Sequence, residues 1–143
     1  MNRRQRTETL INSSSNLATV LADEIKGRYD IDLMEEPNHG LVMVKVRETA
    51  KKSLFYLGEV LVTECKVQIA GKMGVGLIKG DEPEKSYDLA IIDAAYAAEL
   101  VETAAWSAKL YMEHALLEQA YLAEHAKVMR TKVDFETMDT DSE

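Results

Sequence analysis

The chain predicts a single α+β domain, a small antiparallel β-meander covered by helices, and three observations carry that expectation. Residues 64–69 alternate polar and apolar side chains, glycines punctuate the following stretch, and no Gly or Pro occurs from Ser86 to the end of the 143 residues. Strict alternation is the mark of a half-buried strand, glycine clusters mark turns, and a long uninterrupted segment with apolar residues three and four apart marks helix. The length suits one core rather than two.

Taken in order, Leu10, Leu17, Val20, Leu21 and Ile25 fall near helical spacing, so residues 7–26 are expected to form an amino-terminal helix stopped by Gly27 and weakened by the polar run 12–16. Pro37, Asn38, His39 and Gly40 read as a turn, followed by a strand in which Val42, Val44 and Val46 share one face. The longest β-like stretch runs over residues 54–69. Leu61, Thr63, Cys65, Val67 and Ile69 point one way while Glu64, Lys66 and Gln68 point the other. Its length implies a bent strand or two, and Gly58 suggests a bulge or a close backbone approach. Ala70, Gly71, Lys72 and Met73 read as a hairpin connection into a strand from Gly74 to Lys79. Structural turns are thus expected at Gly40, Gly58, Gly71, Gly74 and Gly80.

Asp81, with Glu84 three residues later, has the form of a capping box, and Pro83 suits a first helical turn. Leu89, Ile92, Tyr96 and Leu100 then form one helical stripe, and a second helix is expected from Trp106 to Met129, with a break near Thr103. Beyond it comes an extended carboxy-terminal tail. Residues 1–6 and 131–143 are expected to be mobile or partner-docking ends. Lys132, Val133, Asp134, Phe135 and Met138 are the candidate docking residues, because apolar anchors in so polar a tail want cover.

The formal charge of −8 excludes a chain built to displace counterions from nucleic acid, and 46% hydrophobic with 29% charged residues is ordinary for a non-membrane globular protein. Arg3, Arg4 and Arg6 imitate the start of a secretory signal, but Asn12 to Asn16 break any apolar segment, so a cytoplasmic location is expected. The lone Cys65 is expected to be a buried small hydrophobe rather than a nucleophile. Gly71, Gly74, Gly76 and Gly80 ahead of a helix resemble a phosphate-binding loop in outline, yet Asp81, Glu82 and Glu84 would repel a phosphate there. His114, Glu118, Tyr121 and His125 share a helix face, but the two histidines stand about 16 Å apart at 1.5 Å per residue, too far for one metal ion. Asp93, within an apolar helix, needs a partner if buried, and exposure or a structural salt bridge is favoured over acid–base catalysis. No catalytic residues, no metal ligands and no cofactor of the chain's own are expected.

The residues also resemble a family. Gly40-Leu41-Val42, Gly58-Glu59-Val60 leading through Thr63 to Cys65, the spacing of Gly71, Gly74 and Gly80, Ala90-Ile91-Ile92-Asp93-Ala94, and the terminal Lys132-Val133-Asp134-Phe135-Glu136-Thr137-Met138 together resemble the G subunit (PhnG) of the bacterial carbon-phosphorus lyase system. Glu64 stands where the family often carries Arg, and Glu136 where some members carry an aromatic residue. The resemblance implies a non-catalytic or accessory subunit of a transferase complex. That complex forms α-D-ribose 1-methylphosphonate 5-triphosphate from ATP, its substrate, and methylphosphonate. It also implies H, I and J subunits as partners in a core particle, with the L subunit acting alongside. The alternative is direct nucleotide or phosphonate binding at an intersubunit site, with the glycine stretch and Arg47, Lys51 or Lys52 contributing.

Overall fold

The computed structural model describes residues 1–47 and 54–141, with side chains described for 1–45 and 57–132. Two short helices, α1 (Arg3–Asn12) and α2 (Leu17–Lys26), precede strands β1 (Asp32–Arg47), β2 (Leu54–Ile69) and β3 (Lys72–Lys79). Helices α3 (Pro83–Ala97) and α4 (Glu102–Asp141) follow. The sheet is an antiparallel meander of order β1-β2-β3, so the α+β architecture is as expected.

The single amino-terminal helix is instead two. Asn2 caps α1 in a reciprocal box with Gln5, and the helix ends at Ser13, whose extended backbone turns the chain. The hydroxyls of Ser13 and Ser15 then donate to the Glu113 carboxylate at 2.9 and 3.2 Å. A distant acceptor thus stabilises the break. Helix α2 resumes with Ala18, Leu21, Ala22 and Ile25 buried along one stripe.

Pro37 to Gly40 do not form a turn but lie inside β1, whose register against β2 slips between Leu33 and Glu35 and again between Glu35 and Asn38. An edge strand tolerates proline at such irregularities because the missing N–H need not belong to the ladder. The turns expected at Gly40, Gly58 and Gly74 are therefore strand positions. Gly58 faces Val44 beside a slip that leaves Leu57 without a partner. β2 is one strand rather than two. Between β2 and β3 the chain reverses through Ala70 (φ 49°) and Gly71 (φ 78°), both in the left-handed region that a two-residue hairpin of the primed type requires.

Thr63, Cys65, Val67 and Ile69 of β2 and Ile78 of β3 cover one sheet face, and α3 lies against it. Residues Leu89 to Ala95 are all buried, which fits a helix enclosed between the sheet on one side and α2 on the other. The close approach rests on small residues. An added Cβ at Gly76 would lie 1.8 Å from the Ser86 carbonyl oxygen, and one at Gly74 would lie 2.2 Å from the Ala94 nitrogen.

The entrance to α3 is not capped as expected. Glu82 occupies the cap position without a side-chain hydrogen bond, and Asp81 pairs with His39 at 2.7 Å. The Thr63 hydroxyl holds the loop instead: it donates to the Gly80 carbonyl and accepts from the Glu82 N–H. Gly80 itself has φ 89°. The break between α3 and α4 falls at residues 98–101, where Glu99 (φ 53°) reverses the chain.

Candidate functional site

The segment singled out from the sequence sits at the far end of α4, and that helix is built in two parts. At its start the Glu102 carboxylate accepts from the Tyr29 hydroxyl at 2.9 Å and Arg28 at 3.2 Å. Burial pushes the Glu102 carboxyl upward, but hydrogen bonds from its own N–H, Tyr29 and Arg28 outweigh that and hold it below its usual range. Trp106 and Leu110 are buried in the core, and the Trp106 indole donates to Glu24 at 2.6 Å. Glu113 is tied to the α1–α2 break as described.

Past Leu117 the helix leaves the body. From residue 118 to 141 it spans about 36 Å at 1.5 Å per residue, with every described side chain exposed. Among them are Tyr121, Leu122, Val128 and Met129. The carboxy-terminal extension is thus helical rather than extended, since no Gly or Pro stops the helix before Asp141. Lys132 is exposed. Val133, Asp134, Phe135 and Met138 belong to α4 by backbone, but their side chains lie outside the described residues.

A second projection was not foreseen. The outer halves of β1 and β2 form a two-stranded arm that exposes Leu41 and Met43 on one face and Val42 on the other. Its signal was the run Leu41 to Val44, apolar at both odd and even positions. Such a run fits a strand covered on both faces. Arg47, Lys51 and Lys52, considered for anion contact, have side chains outside the described residues.

The polar clusters of the body are occupied structurally. Asp93 accepts from Arg3 at 2.9 and 2.7 Å, from Arg6 at 3.0 Å and from the Val75 N–H at 2.9 Å. That array satisfies the buried carboxylate and leaves it poorly placed to take a proton from substrate. Arg6 also stacks over Tyr96, 4.0 Å from the ring centre. Arg3 and Arg6 were missed as partners, although their spacing of three places them on one helix face. Hydrogen bonding to Asp93 raises the Arg3 guanidinium further above its ordinary value. Asp88 likewise accepts from Lys26 at 2.8 Å and from Thr19.

Within the glycine stretch Gly74 and Gly76 face the backbone of α3, and Gly71 and Gly80 sit at turns. Cys65 is fully buried, and burial pushes its thiol up to about 11. Glu64 stands on the opposite face, 3.7 Å from Lys66. His114 pairs with Glu118 at 3.2 Å, and Tyr121 stacks on His125. Among the described residues, no three His, Cys, Asp or Glu side chains gather to hold a metal ion. No described helix is long and apolar enough to cross a membrane.

Fold and surface define a small α+β protein with two projections, the outer half of α4 and the β1–β2 arm, that carry exposed apolar side chains. The family model described as "Phosphonate metabolism protein PhnG" matches residues 1–139, so the chain belongs to the PhnG family and to phosphonate metabolism. No curated protein matches the chain.

Proposed function

We propose that the chain is a non-catalytic, accessory subunit of the cytoplasmic complex that forms α-D-ribose 1-methylphosphonate 5-triphosphate from ATP and methylphosphonate. Its partners are the H, I and J subunits, with the L subunit acting alongside. ATP is a substrate of the complex, and this chain contributes no cofactor.

The observation that carries the reading, beside family membership, is the free half of α4. A helix of this length gains most of its stability from tertiary packing, yet here apolar side chains stand in water on several sides of it. A neighbouring subunit supplies the missing cover. Burying Leu122, Val128 and Met129, each now about half exposed, contributes roughly 3 to 5 kcal/mol before ordering costs. Lys132, Val133, Asp134, Phe135 and Met138 extend the same contact.

The test is deletion of residues 131–143, followed by copurification with the I subunit from cells expressing the whole set. Recovery should fall at least about tenfold, the equivalent of roughly 1.4 kcal/mol. Undiminished recovery rejects the docking role.

A further inference from the structure

We infer that the free edge of β1 at residues 40–45 receives an extended segment of another polypeptide, which adds a fourth strand to the sheet. The inference rests on the reading of the chain as a subunit of an assembly and specifies a surface of contact that the tail does not provide.

The Leu61 carbonyl accepts from the Gly80 N–H at 2.8 Å, on the β3 side of the sheet. Leu61 therefore offers no main-chain group to β1. Its partner across the ladder, Leu41, points both its N–H and its carbonyl outward, and alternation places Met43 in the same position. Among the described residues no strand pairs with that edge. A row of outward donors and acceptors at strand spacing recognises one kind of ligand, another strand.

Protection along β1 is uneven. The first half carries two register slips, Pro37, and the charges of Asp32, Glu35 and Glu36, all of which discourage pairing. Residues 40–45 carry no proline and Lys45 as the single charge, and the register is regular from Asn38 to Val44. On the opposite edge the Val75 N–H is already taken by Asp93. The window left open is also apolar on both faces. A second copy of this chain is the less fitting occupant, because each copy brings a charge of −8 and like charge keeps copies apart.

Amide hydrogen exchange resolved to single residues tests this on the full chain, free and in the assembly with the H, I and J subunits. Leu41 and Met43 should exchange fast in the free chain and slow by at least about tenfold in the assembly, while Val42 and Val44, already bonded to β2, change little. Unchanged exchange at Leu41 and Met43 in an assembly that contains the chain overturns the inference and leaves the proposed function standing. Slowing in the free chain as its concentration rises overturns it in favour of self-pairing. Absence of the wild-type chain from the assembly rejects both readings.

Met43→Pro removes one outward N–H without touching the β1–β2 ladder and should lower retention in the assembly at least about tenfold. Met43→Lys, which keeps the backbone intact and charges the edge, should do the same if the proline variant fails to fold. Undiminished retention of a folded variant overturns the inference.

Discussion

Gly76→Ala should be among the most damaging single-methyl changes in this protein. The added carbon would stand 1.8 Å from the Ser86 carbonyl oxygen and 2.7 Å from the Ala90 nitrogen, both backbone atoms of α3. Ordinary contact needs about 3.4 Å, so the helix must retreat from the sheet by roughly 1.5 Å or β3 must buckle. Overpacking a core by a methylene typically costs 1 to 3 kcal/mol when side chains can adjust, and here none can, so about 3 kcal/mol or more is expected. With an unfolding entropy of about 0.3 kcal/mol per kelvin for a chain of this size, the melting temperature should fall by about 10 °C. Gly58→Ala is the control, because among the described residues no atom lies within 4 Å of its added carbon, and it should shift the midpoint by less than about 2 °C. Thermal unfolding followed by circular dichroism measures both. A Gly76→Ala protein within about 3 °C of wild type would refute the claim that α3 rests on bare β3 backbone.

Asp93→Ala should cost about 3 kcal/mol in chemical denaturation, because it strands the largely enclosed Arg6 and the Val75 N–H. Arg3→Ala should cost less than about 1 kcal/mol, since that side chain is 65% exposed; equal losses would contradict the assignment. Cys65 should resist iodoacetamide at pH 8 in the native state and react fully once unfolded, and fast native labelling read by mass spectrometry would show the strand open. Glu102 and Glu35 are held below the ordinary 4.5, Glu35 chiefly by its hydrogen bond from Lys66, so their stabilisation is complete above that pH and lost as pH falls through the folded values. Tyr29, raised above 10 chiefly by donating to Glu102, contributes below pH 10 and loses that contribution as pH rises through its folded value. Melting temperature against pH should therefore fall at both ends, and Tyr29→Phe should flatten both limbs; identical profiles for the two proteins would sink the assignment.

Local pattern made the sheet legible and long-range partners did not. The alternation of Thr63, Cys65, Val67 and Ile69 names the buried face of β2 directly, because side-chain direction in a strand depends only on parity. The split between α1 and α2 was obscured because Leu10 and Ile25 both reach the core, while the acceptor that stabilises the break, Glu113, lies a hundred residues from Ser13. Asp93 has the same history, its arginines being 90 and 87 residues away. Asp81 read as a helix cap, but it meets His39 across the sheet and Thr63 holds the loop. Pro37 read as a turn because its effect on hydrogen bonding depends on which way its nitrogen points, and that is settled only by the neighbouring strand. In the candidate site, the apolar anchors of the last turns were visible as composition. The helix that carries them was foreseen only to Met129, and the arm was hidden in a run whose apolar residues were assigned to one face.

The clasp between α1 and the far side of the fold bears on how the protein is made. Arg3 and Arg6 need Asp93, and Ser13 needs Glu113, so the first helix has no seat while a ribosome is still adding the middle of the chain. The meander and α3, whose contacts are close in sequence, are free to assemble earlier. The amino-terminal helix of a nascent chain therefore finds its first anchor, Asp93, only once α3 has emerged, and its full seat only when α4 has left the exit tunnel.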